Sequence, residues 1–64
     1  MIINGKEEAL KEPVTVNEYL TAKGYQTKRI AVEINGEILP KSQYETRQIC
    51  ESDKVEIVTF MGGG

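Results

Sequence analysis

Few groups in this sequence could do chemistry. It has no His, so Ser-His and Cys-His nucleophile pairs and imidazole-ligated metal sites are excluded. Its single cysteine, Cys50, can form neither an internal disulfide nor a cysteine-only zinc site. No acid, base and nucleophile can be assembled into one constellation, so the chain is not expected to be an enzyme and no bound cofactor is expected. What remains is the glycine run Gly62-Gly63-Gly64. The α-carboxylate of Gly64, with a pKa of about 3.3–3.7, is ionised at neutral pH and is a usable nucleophile. Glycine has no Cβ to crowd its carbonyl or to collide with a narrow channel. An extended chain spans at most about 3.3–3.6 Å per residue, so these three residues reach roughly 10 Å past whatever fold carries them. A glycine-rich end is more often a frayed tail or linker. Here it follows a strand directly in a very short chain, which favours a working tail.

The elements that would position such a tail can be read along the chain. Met1-Ile2-Ile3 begins a strand, and Asn4-Gly5 is a type I′ hairpin signal. Lys6 to Lys11 then reads as the return strand, ended by Pro13, which has no N–H to donate. Thr15-Val16-Asn17-Glu18 has capping-box spacing, and Val14 and Tyr19 fit a hydrophobic staple. The pattern predicts a helix over residues 16–23, with Val16, Tyr19 and Leu20 on one face and Gly24 as its left-handed stop.

Ile30, Val32 and Ile34 alternate with period two, marking the buried face of a strand. Asn35-Gly36 repeats the turn signal, and Glu37-Ile38-Leu39 is the partner strand, closed by Pro40. Ser42-Gln43-Tyr44-Glu45 has the spacing of a second capping box, implying one helical turn. Arg47 to Cys50 reads as a short strand, Glu51-Ser52-Asp53 as a turn, and Val55 to Met61 as the final strand. The expected core is Ile3, Val16, Leu20, Ile30, Val32, Ile34, Val55 and Ile57, with Cys50 an inert core thiol. Tyr19, Tyr25 and Tyr44 are expected to pack. The two Asn-Gly pairs read as turn chemistry alone, and Glu7-Glu8 and Lys28-Arg29 as solvated surface.

Size and charge bound the rest. Sixty-four residues make one domain, spanning 1–64 with residues 62–64 as its tail. Such a chain buries only about 60% of its unfolded surface, leaving no room for a deep cleft beside a core. With 39% hydrophobic and 28% charged residues it should fold. A net charge of −2 without a basic stripe argues against nucleic acid. The chain opens without a basic segment leading into an apolar one and has no run approaching 18 apolar residues. No signal peptide and no membrane association are therefore expected, and a cytoplasmic monomer is the expectation. Hairpin, helix, hairpin, irregular crossing and strand in that order suggest an α+β roll with the helix across one sheet face.

These residues resemble the thiamine-biosynthesis sulfur carrier family, small ubiquitin-like β-grasp proteins ending in Gly-Gly. Three features carry the likeness across nearly the whole chain. They are the short amphipathic helix within Val14 to Gly24, the Asp53-Lys54-Val55-Glu56-Ile57 segment opening the last strand, and the diglycine after it. Gly62 departs from the family pattern as a third glycine. The resemblance implies a mixed sheet of four or five strands, first and last strands parallel, one main helix and a flexible tail. It implies that a separate, E1-like adenylating enzyme activates Gly64 with ATP. A sulfur donor protein then converts it to a thiocarboxylate, and thiazole synthase receives the sulfur. Phe60 and Met61, at the base of the tail, would be the partner contacts. A molybdopterin-synthase small subunit and a non-catalytic β-grasp interaction module remain open as alternatives.

Overall fold

The computed structural model describes residues 1–60; Met61, Gly62, Gly63 and Gly64 lie outside the described residues. Strand β1 (Ile2–Ile3) turns through Asn4 (φ 50°) and Gly5 (φ 83°) into β2 (Lys6–Glu7). Both central residues have the positive φ that a type I′ turn demands. The return strand is shorter than the sequence suggests. In the register Ile2↔Glu7 only Met1 is left to pair with, and Glu8 N–H takes its carbonyl at 2.9 Å. Glu8 then leaves the ladder for the helix, accepting from Tyr19 Oη at 3.0 Å and pairing with Lys23 Nζ at 3.1 Å.

After Pro13 the chain forms β3 (Val14–Thr15), which the sequence reading did not anticipate. It pairs antiparallel with β6 (Gln48–Ile49) in a separate two-stranded sheet. Helix α1 (Val16–Lys23) follows with both halves of the capping box formed. Thr15 Oγ1 accepts from Glu18 N–H at 3.1 Å, and Glu18 Oε1 accepts from Thr15 N–H at 2.8 Å. Two further orphan donors of the first turn reach across the chain, Val16 N–H to Arg47 O and Asn17 N–H to Tyr44 O. Gly24 at φ 82° closes the other end, with Tyr25 N–H on Leu20 O and Gly24 N–H on Thr21 O, the paired bonds of a Schellman stop.

Strand β4 (Ile30–Ile34) alternates buried and half-buried as its sequence period requires. The Asn35-Gly36 turn leads to β5 (Glu37–Ile38), and a 3₁₀ turn covers Lys41–Gln43. The second capping box is not formed there: Pro40 precedes the turn and supplies no side-chain bond. Tyr44 is instead drawn into the core, 4% exposed, and Arg47 N–H closes the segment on Gln43 O at 2.8 Å. Strand β7 (Lys54–Thr59) completes a five-stranded sheet in the order β2-β1-β7-β4-β5. β7 runs parallel to β1, through Ile2↔Lys54 and Ile3↔Val55, and antiparallel to β4 along five pairs from Ile34↔Val55 to Ile30↔Thr59. This mixed sheet with a helix packed on one face is the β-grasp roll.

All eight expected core residues are buried, and Met1, Tyr19, Leu39, Tyr44 and Ile49 join them. Cys50, expected inside, is exposed. Ile49 takes the inward position of that strand, and side chains alternate, so its neighbour faces water.

Asp53, just before β7, is the buried charge of this core. Its carboxylate accepts from Cys50 N–H at 2.8 Å, Asn35 Nδ2 at 3.0 Å and Arg47 at 3.3 Å. Burial alone would raise its pKa, but the bonds from Cys50, Asn35 and Arg47 outweigh that and hold it below the usual carboxylate value. A depressed folded pKa stabilises the protein above the unfolded value. That contribution should be lost as pH falls below about 4. Asp53→Asn should cost about 1.5–3 kcal/mol at neutral pH, the range for hydrogen bonds to a charged group. It should also flatten the acid limb of a melting-temperature profile. An unchanged acid limb would remove Asp53 as its source.

Candidate functional site

β7 is the central strand, and the tail predicted from the sequence continues from its end. Two asparagines hold it in place. Asn35 Oδ1 accepts from Lys54 N–H at 3.0 Å, while Asn35 N–H donates to Lys54 O at 2.8 Å. Farther along, β1 has run out at Ile3, and the Asn4 side chain takes over: its Oδ1 accepts from Ile57 N–H at 2.7 Å. Asn4 N–H also donates to Val55 O at 2.9 Å. The hairpin turns therefore do more than reverse the chain. Each spends its asparagine side chain on the backbone of the tail-bearing strand, a role that a turn signal does not reveal.

Beyond Ile57, among the described residues, β4 and the residue before it support the strand. Val58 pairs with Ala31 and Thr59 with Ile30, and Phe60 N–H makes the last bond, to Arg29 O at 2.7 Å. Val58 is 50% and Phe60 55% exposed. Phe60 is thus apolar and unburied just past the end of the described strand. Met61, its expected companion, and Gly62 to Gly64 lie outside the described residues. Lys28 and Arg29 are exposed beside this exit, as expected of solvated surface.

Outside this strand end, the perturbed ionisable groups serve packing. Glu8 sits low because Lys23 and then Tyr19 hydrogen-bond its carboxylate. Burial, reinforced by the bond to Glu8, pushes Tyr19 up to about 12. Burial also raises Tyr44. Each of these groups lies in a contact already described between the helix, the first hairpin and the core. The described residues hold no group of three or more Cys, Asp or Glu able to bind a metal. They also contain no helix long and apolar enough to cross a membrane.

A β-grasp roll whose central strand is fastened along its length and delivers an apolar end toward a glycine run is a ubiquitin-like carrier domain. The sequence model of the ThiS family matches residues 1–64. The sulfur carrier protein ThiS of Bacillus subtilis is 36% identical over 63 residues, covering 97% of this chain and 96% of that protein. The crystal structure of a thiamine biosynthesis protein (ThiS) from Geobacter metallireducens superposes with a TM-score of 0.83 at 36% identity. That match covers 98% of this chain and 96% of the other. A thiazole synthase of Paramagnetospirillum magneticum is 42% identical over 64 residues, which is all of this chain but 20% of that protein. The chain belongs to the ThiS family. Membership makes it a small sulfur carrier protein of thiamine biosynthesis, not itself a catalyst.

Proposed function

We propose that this protein is the sulfur carrier of thiazole formation in thiamine biosynthesis and that the sulfur rides on Gly64. The observation that carries the reading is the fastened central strand, ordered through Phe60 and leading into Gly62-Gly63-Gly64, in a chain of the ThiS family. The carboxylate of Gly64 attacks the α-phosphate of ATP in the site of an E1-like adenylating enzyme, and pyrophosphate leaves. The acyl-adenylate turns the same carbon into an electrophile. Sulfide attacks it and AMP departs, so one oxygen is replaced by sulfur. When a donor protein's persulfide attacks instead, the resulting acyl disulfide is cleaved by a second thiol, which leaves as a disulfide with the donor and frees the thiocarboxylate. The thiocarboxylate is a soft nucleophile that hands its sulfur to the acceptor. A thiazole synthase as the receiving partner is supported by the P. magneticum relative, in which a protein of that name includes a stretch similar to this whole chain.

The exposed Phe60 and neighbouring Met61 are the proposed contacts at the mouth of the partner's site, since apolar surface beside a tail suits an interface. With ATP and its cognate adenylating enzyme, the protein should support exchange of pyrophosphate into ATP. Adding sulfide should give the mass shift of an oxygen-to-sulfur exchange at the C-terminus. Met61→Asp should weaken binding to the adenylating enzyme at least tenfold, about 1.4 kcal/mol, with an unchanged melting temperature. Full affinity in that variant would move the docking surface elsewhere. Absence of both exchange and mass shift in the wild type would end the sulfur-carrier reading.

A further inference from the structure

The two Asn-Gly turns are alike in sequence and unlike in what their asparagines hold. Asparagine is a chemically labile residue, and a following glycine, with no Cβ, leaves its side chain open to attack by the next backbone nitrogen. In that reaction ammonia leaves, and water opens the resulting succinimide to aspartate or isoaspartate. Both turns are exposed, so water is at hand. At Asn35 the fold holds the side chain elsewhere. Its Oδ1 accepts from Lys54 N–H at 3.0 Å, and its Nδ2 donates to Asp53 Oδ1 at 3.0 Å. Its own N–H donates to Lys54 O at 2.8 Å. The amide is thus fastened to Asp53 and Lys54, where β7 begins, and kept off Gly36. Asp53 is 8% exposed, and its ionised carboxylate can only accept, so it needs a donor at that position. Asn4 differs. Among the described residues its side chain makes one bond, Oδ1 accepting from Ile57 N–H at 2.7 Å. A carboxylate would accept that bond equally well.

We propose that Asn35-Gly36 is a latent deamidation site, closed while β7 is docked, and that its reaction bars the strand from returning. When β7 lifts away, the bonds to Asp53 and Lys54 go with it, and the Asn35 amide is free to turn onto Gly36. The Gly36 nitrogen then bonds to Cγ, the Cγ–Nδ2 bond breaks, and ammonia leaves with the Gly36 amide proton. Water adds across the succinimide. The net change is one amide exchanged for one carboxylic acid, with no oxidant or reductant. Neither product restores the old contact. An aspartate at position 35 presents an oxygen where Nδ2 stood, 3.0 Å from the Asp53 carboxylate. Two carboxylates that close cannot both stay ionised without cost. Isoaspartate adds an atom to the main chain and spoils the two-residue turn that sets the Ile34↔Glu37 register. Asn4 can become aspartate and keep its bond to Ile57. The two turns therefore age differently: only at Asn35 does unfolding open the site and the reaction make that unfolding permanent.

The test has a rate arm and a stability arm, and neither needs a partner, so both are independent of the carrier reading. Wild-type protein is held in mildly alkaline buffer with and without urea, and peptide mass mapping follows the amide-to-acid exchange at each turn. Asn35 should react at least about 100-fold more slowly in the folded protein than in urea, because the open form is a small fraction of the folded population. No reaction at Asn35 in urea, or equal rates in folded and unfolded protein, would overturn the gate. The stability arm compares Asn35→Asp, Asn4→Asp, Asp53→Asn and Asn35→Asp/Asp53→Asn. Asn35→Asp should lower the melting temperature by at least about 5 °C, and Asn4→Asp should change it by less than about 2 °C. The double variant again sets one amide against one carboxylate, so it should lose less than the sum of its two single variants. Wild-type stability in Asn35→Asp, or losses that simply add, would overturn the repulsion at Asp53. Should Asn35→Asp fail to fold, a cooperative transition regained in the double variant supports the contact, and its absence overturns it.

Discussion

Removing Gly64 is expected to reduce pyrophosphate exchange by at least 100-fold without changing the melting temperature. The reacting carbonyl would be withdrawn by one residue, up to about 3.3–3.6 Å, whereas misplacement of about 1 Å can already cost 100-fold in rate. Adding one residue after Gly64 should be equally severe, because its carboxylate becomes an amide with no anionic oxygen to attack phosphorus. Cys50→Ser is the matched control. The thiol is exposed and therefore free to react, so exposure alone cannot dismiss it as a sulfur carrier. Full exchange and full sulfur loading in Cys50→Ser, together with loss of both in the Gly64 deletion, would assign the chemistry to the terminal carboxyl. The opposite pattern would place the sulfur on Cys50 and sink the proposed mechanism.

The largest effect on the fold should come from Leu20→Ala. Leu20 is 1% exposed and, with Val16 and Tyr19, fixes the eight-residue helix to the sheet. A helix that short has little stability of its own in water, so packing holds it. Truncating a buried Leu costs about 2–5 kcal/mol. At roughly 0.05–0.15 kcal/mol per residue, a domain of this size has about 3–10 kcal/mol in total. The variant should therefore lose a large part of its cooperative unfolding transition, read as a fall in the urea midpoint by circular dichroism. A loss below about 1 kcal/mol would show that the helix is held by something other than this contact.

Much of this arrangement was legible in the sequence because it is local. The Thr15–Glu18 capping box, the Gly24 stop and the two Asn-Gly turns are decided within a few residues by donors, acceptors and allowed φ. The alternation of Ile30, Val32 and Ile34 fixes which face is buried. β6 could be read within Arg47 to Cys50, but β3 and its pairing could not, since two residues of strand carry no period and the partners lie more than thirty positions apart. Cys50 was misplaced for the same reason: the inward position belongs to Ile49, and pairing with Val14 decides that. The parallel placement of β1 beside β7 came from family resemblance and is now seen in the register. At the strand's exit, the exposure of Phe60 could be read from its position, but the bonds of Asn4 and Asn35 could not. Their side-chain bonds to β7 exist only once the turns are folded against it.

The placement of β7 also governs the order of events at the ribosome. The strand in the middle of the sheet is the last one synthesised: Lys54 pairs with Ile2, and Val55 with both Ile3 and Ile34. Until it arrives, β1 and β4 have open edges facing each other and no strand between them. Contacts so distant in sequence close slowly, after the loop entropy has been met. A nascent chain interrupted before Lys54 can form hairpins and a turn of helix at most in passing, but not this sheet. The carrier surface, the outward face of β7 and the tail's point of departure thus come into being together, in one late step.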